Sequence, residues 1–160
     1  MKTCLALLAF TSVLVAADAP DDAVKKEKQK LEGTWIVQTA KASGSGSASK
    51  VEDLKGAKMV FAGDKFKIVA DGKEEEVSYT IDPTKSPKEL DVVAGKGDKK
   101  IISRGIYELN GDELKLCVGI ASESATKTSS GSVVEKVDSV RPKDFDAKQG
   151  VLLTLKRSKD

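Results

Sequence analysis

Gly105-Ile106-Tyr107-Glu108-Leu109-Asn110-Gly111-Asp112-Glu113-Leu114-Lys115-Leu116-Cys117 decides the fold class. Apolar and polar residues alternate on both sides of an Asn-Gly dipeptide, the strongest short-range signal for a β-hairpin. With Asn110-Gly111 as the two-residue loop, Tyr107 lies opposite Leu114 and Gly105 opposite Leu116. One face is then apolar and the other carries Glu108, Glu113 and Lys115.

The same alternation recurs outward along the chain. Strands are predicted over 33–39, 58–61, 66–70, 76–81, 89–93, 100–109, 113–118 and 151–156. Asp71-Gly72 forms a second tight hairpin that sets Phe66 opposite Val77. The turn Ala62-Gly63-Asp64-Lys65 sets Phe61 opposite Phe66 and Met59 opposite Ile68. Trp35, Val37, Met59, Phe61, Phe66, Ile68, Val77, Tyr79, Ile81, Leu90, Val92, Tyr107, Leu114, Leu116, Val118, Leu153 and Leu155 thereby share one face. Lys58, Lys67, Glu76, Asp91 and Lys156 join the opposite, charged face. Ile68 faces Glu75, which places that pair at a rim or a bulge. Eight short strands, each with one apolar and one charged side and closely spaced turns, predict an all-β fold: a small, closed, eight-stranded antiparallel barrel.

The start of the chain reads as an address. Lys2 is followed by the apolar run Cys4–Ala17, and Val15-Ala16-Ala17 offers the small residues a signal peptidase reads. The run falls short of the ~20 residues that span a bilayer. Residues 1–17 are therefore expected to be a cleaved signal peptide, with the protein exported to the periplasm or beyond and not stably inserted in a membrane. Residues 18–30, rich in lysine, form a short helical lead-in, because Val24 and Leu31 stand one heptad apart. The barrel domain occupies 31–160. Ser43-Gly44-Ser45-Gly46-Ser47 and a Ser-rich stretch at about 119–139 read as loops.

Composition excludes several functions. The chain has 160 residues with 27 basic and 25 acidic side chains, too balanced for a general nucleic-acid binder. It has no histidine, so no Ser-His-Asp or Cys-His pair and no histidine general base can form. The usual Cys/His zinc sites are excluded for the same reason. Signal cleavage leaves Cys117 as the single cysteine, which cannot form an internal disulfide; its strand context reads as a small buried hydrophobe. Glu74-Glu75-Glu76 reads as a solvated edge, and Asp144 with Asp146 lacks the rest of a calcium loop. No catalytic residue, metal or cofactor is expected.

Gly33-Thr34-Trp35 opens the first strand and Arg157 follows the last, Leu152-Leu153-Thr154-Leu155-Lys156. This resembles the lipocalin, or calycin, pattern, which implies that Trp35 plugs the closed end of the barrel and that Arg157 lids its ring. A longer series includes Leu31-Glu32-Gly33-Thr34-Trp35, Phe61-Ala62-Gly63-Asp64-Lys65-Phe66, Ile81-Asp82-Pro83-Thr84-Lys85-Ser86-Pro87-Lys88, the hairpin 105–117 and Arg141-Pro142-Lys143-Asp144-Phe145. It is similar to a lipocalin-like domain family known mainly from planctomycete bacteria. The resemblance implies export and a small barrel, and no defined activity. The Ser-rich stretch before Arg141 is longer than the family pattern.

Two non-catalytic functions follow as expectations. A barrel of about eight strands is wide enough either to be filled by side chains or to hold one small ligand. The first reading is a small hydrophobic ligand lined by Met59, Phe61, Phe66, Tyr79 and Tyr107, with Tyr79, Tyr107 and Thr39 as polar anchors. The second is a structural or protein-interaction module of the cell envelope.

Overall fold

The computed structural model describes residues 20–42, 51, 53–95, 101–120 and 137–159. The signal segment 1–17, the Gly/Ser loop 43–50 and residues 121–136 of the Ser-rich stretch lie outside them.

The described residues fold as an N-terminal helix and a closed barrel. Helix α1 spans Pro20–Leu31, and the strands are β1 (Gly33–Ala42), β2 (Lys58–Ala62), β3 (Lys65–Ala70), β4 (Lys73–Asp82), β5 (Lys88–Ala94), β6 (Ile101–Asn110), β7 (Glu113–Val118), β8 (Val137–Asp138) and β9 (Val151–Arg157). Neighbouring strands pair antiparallel from β1 through β7; β9 then pairs with both β7 and β1, closing an eight-stranded ring. The two-residue β8 runs parallel to the start of β6 and was not legible in the sequence. A closed ring leaves no long strand edge exposed.

Two predicted registers match residue for residue: Phe61 pairs with Phe66, and Phe66 with Val77. The third is corrected. Leu109 pairs with Leu114, Tyr107 with Leu116 and Gly105 with Val118. The loop of this hairpin is Gly111-Asp112, and Asn110 stays in the strand opposite Glu113. The positive φ that a two-residue turn needs falls on Gly111, at 59°. Because the partners shift by two residues, every side chain keeps its predicted face.

A second correction concerns β1. Its register against β9 slips between Val37 and Thr39, a β-bulge at Gln38. Val37 is buried, Ala40 packs against the core, and Thr39 between them is exposed. Thr39 therefore does not line the interior.

Most of the predicted apolar face forms a single core with Leu31 and Ala57, from Trp35 on β1 round to Leu155 on β9. The opposite face is not charged throughout. Ile106 and Cys117 face outward, yet both are buried. The segment 139–150 passes over this wall: the Cys117 thiol donates to the Asp146 carbonyl at 3.7 Å, and the Arg104 amide donates to the Ser139 hydroxyl at 2.7 Å. Arg141 ties the segment down, donating to the Gly105 carbonyl at 2.5 Å while its other terminal nitrogen lies 2.7 Å from Asp91 and 3.3 Å from Glu89. The Asp91 contact is an ion contact without hydrogen-bond geometry. Gly119 is required at this crossing, because a Cβ there would come within 2.1 Å of the Val140 carbonyl oxygen.

Candidate functional site

The two ends of the barrel differ, and the difference locates the candidate site. Helix α1 closes one end. Asp21 and Asp22 in its first turn and Lys28 and Lys30 in its last complement the helix dipole, which supports a helix this short. Val24, Glu27, Lys28 and Leu31 share one helical face, and Val24 and Leu31 pack into the core. Lys28 forms an ion pair with Asp64 in the β2–β3 turn and lies 5.3 Å from the centre of the Tyr79 ring. Glu27, only 5% exposed, pairs with Lys88 of β5 and with Lys30 at 3.1 Å.

Gly33, Trp35 and Arg157 meet beneath the last turn of this helix. Trp35 pairs directly with Arg157 across β1 and β9, and the guanidinium lies 4.2 Å from the centre of the indole ring. The indole N–H donates to the Leu31 carbonyl at 2.8 Å. Arg157 donates to the flanking carbonyls of Lys30 at 2.5 Å and Glu32 at 2.7 Å. Three carbonyls at the helix C-terminus, which no helical N–H can reach, are thus satisfied by two side chains of the barrel. Gly33, at φ 115°, leaves room for the guanidinium; a Cβ would stand 3.1 Å from it.

The five residues read as a ligand lining lie above this plug and are packed on one another. Phe61 stacks on Phe66 at 5.0 Å between ring centres and meets Tyr79 edge-on at 5.4 Å. Met59 and Tyr107 are buried in the same core. The Tyr79 and Tyr107 hydroxyls are buried without a hydrogen-bond partner. Burial, then the negative charges of Asp64 and Glu32, pushes the Tyr79 phenol up to about 12. Tyr107 is pushed further in the same direction, first by burial and then by the Glu27 carboxylate, which lies near its hydroxyl but outside hydrogen-bonding geometry.

The other end is different. Inward-facing side chains there are small or only half-buried: Ala40, Ile68, Ala70, Val92, Ala94 and Val151 pack against the core, joined by Leu54 and the buried Val51 of the β1–β2 connection. A recess of about 350 Å³ lined by Gln38, Thr39, Ala40 and Lys55 opens beside the β1 bulge. The alternation that exposed the apolar face also carried this signal, since the inward positions shrink to alanine at the strand ends away from α1.

Two grooves at the helix end, of about 440 and 410 Å³, share Lys88 and Leu109. In the larger, Lys30 and Lys88 both pair with Glu27, and Arg157 pairs with Asp112 at 3.5 Å, so each of its three cations already has a carboxylate partner. Among the described residues no three Cys or carboxylate side chains converge as a metal-ligand set, and no helix is long and apolar enough to cross a membrane. Compared with known proteins, the chain matches no family model, and neither a curated protein nor a solved structure is significantly similar to it.

Proposed function

We propose that the protein is an exported, non-catalytic, lipocalin-like carrier that seats one small apolar ligand in the open mouth of its barrel. The supporting observation is the gradient along the barrel axis. Trp35, Phe61 and Tyr79 fill the half under α1, while Ala40, Ala70 and Ala94 leave the other half shallow and half-buried. An apolar concavity on a rigid closed sheet is what a small hydrophobic molecule requires. On this reading Met59, Phe61, Phe66, Tyr79 and Tyr107 form the packed floor, and the alanine-rich ring above them touches the ligand.

Native mass spectrometry of the protein isolated from its own host, compared with its denatured mass, tests the proposal. A retained small molecule that is lost in Ala94→Phe, which fills the mouth, supports the carrier. A bare wild-type mass overturns it. The latter result would favour a protein-interaction module, a reading that draws on the exposure of Ile101, Ile120 and Val140, the last 85% exposed, beside the start of β6.

A further inference from the structure

The run Lys73-Glu74-Glu75-Glu76-Val77 in β4 divides its three carboxylates between two environments. Val77 is buried in the core, so strand alternation turns Glu75 inward and Glu74 and Glu76 outward. Register agrees: Glu75 pairs directly with Ile68, which packs against the core. On the outer surface Glu76 is held by Lys65 at 2.7 Å and Glu74 by Lys67 at 3.3 Å. Among the described residues no cation pairs with Glu75. Among the described residues Glu75 therefore stands unneutralised beside the half-buried apolar residues Ile68, Ala70, Val92 and Ala94, which would form the bowl of the proposed mouth. Lys73 shares the inner face opposite Ala70, but it adjoins the Asp71-Gly72 turn at the outermost position, where its long stem carries the ammonium into water.

We infer that Glu75 selects the ligand by charge, so that the molecule seated in the mouth is an amphiphilic cation: an apolar body in the bowl and an ammonium-type group on the Glu75 carboxylate. This rests on the carrier reading above. A ligand entering the mouth strips water from Glu75. A neutral ligand leaves that carboxylate poorly solvated, an anion adds repulsion, and a cation supplies the missing partner.

Isothermal titration of the protein with octanol, octylammonium and octanoate at low salt separates the two claims. Octanol reports the apolar mouth alone. Octylammonium is expected to bind about tenfold more tightly than octanoate, with octanol between them, the size of effect that two rim charge interactions of opposite sign produce. Glu75→Gln should bring the two ions to within about twofold of each other and leave octanol unchanged, while Lys73→Gln keeps the preference for the cation. If octanol binds but the two ions bind alike, or if the preference survives in Glu75→Gln, the charge selection is overturned and the carrier reading stands. If none of the three binds, both fall.

Discussion

Arg157 and Trp35 close the barrel as a direct cross-strand pair, with the guanidinium 4.2 Å from the centre of the indole ring. The same guanidinium holds the carbonyls of Lys30 and Glu32, so one side chain joins the first strand, the last strand and the plug helix. Arg157→Ala removes two charge-assisted hydrogen bonds and the cation–π contact, and should lower stability by about 2–3 kcal/mol with a change in Trp35 emission. Arg157→Lys keeps the charge but loses the planar fork, and should recover less than half of the loss. Chemical denaturation followed by tryptophan fluorescence measures both; an unchanged midpoint in Arg157→Ala would show that the plug holds without it.

Glu27 makes the helix end sensitive to acid. Burial pushes its carboxyl up, but hydrogen bonds and charge from Lys88 and Lys30 outweigh this and leave it below its ordinary value. A carboxyl with a depressed folded-state pKa adds stability above its unfolded value, near 4.5, and the contribution disappears as pH falls through the lower folded value. Glu27→Gln should therefore be less stable than wild type at pH 7, by about 2 kcal/mol, and the two proteins should converge as pH drops below 4. Thermal unfolding across pH 3–8 follows the difference, and a gap that stays constant through the acid range would remove Glu27 from this role.

Much of this architecture was legible because turn chemistry and strand alternation act locally. Asp71, at φ 49°, and Gly72, at 73°, supply the turn that fixes β3 against β4, and the aromatic face follows. What escaped depended on groups distant in sequence or on a change of period. Asn110-Gly111 named the right hairpin and the wrong loop, because the left-handed residue was Gly111 alone. Thr39 was misplaced by a one-residue bulge that no proline or glycine marks. The burial of Ile106 and Cys117 on the outer wall came from 139–150, a segment with no regular period. Glu27 was hidden in a lysine-rich run, although it lies on the helical face between Val24 and Leu31. For the candidate site, the apolar lining was readable, but its division into a filled floor and an open mouth needed the side-chain packing. Glu75 reads in the sequence as part of a solvated Glu74-Glu75-Glu76 edge and as an awkward partner for Ile68.

Tyr79 offers a test of the packed floor. Its hydroxyl is buried with no partner, so it contributes desolvation without a hydrogen bond. Tyr79→Phe keeps the ring contacts with Phe61 and Phe66 and removes the orphan hydroxyl. It should raise stability by about 1 kcal/mol. A loss of stability would show that the hydroxyl is satisfied in solution, by a water or a bound molecule.

Cys117 reports on the segment 139–150 that covers it. Burial raises the thiol pKa, and Asp144 and Asp146 add to the effect. Its sulfur sits beneath the Asp146 carbonyl, on the outer wall of the barrel and away from the core. In the folded protein it should react with an aromatic disulfide reagent at pH 8 roughly a hundredfold more slowly than after denaturation, since a protected, protonated thiol is a poor nucleophile. Arg141→Ala releases the tie to Gly105, Glu89 and Asp91 and should speed labelling at least tenfold, an opening free energy lowered by about 1.4 kcal/mol or more. Near-native far-ultraviolet dichroism in that variant would assign the acceleration to local lifting of the segment. Labelling of Arg141→Ala at the wild-type rate would mean that Pro142 and Phe145, not the arginine, hold the segment in place.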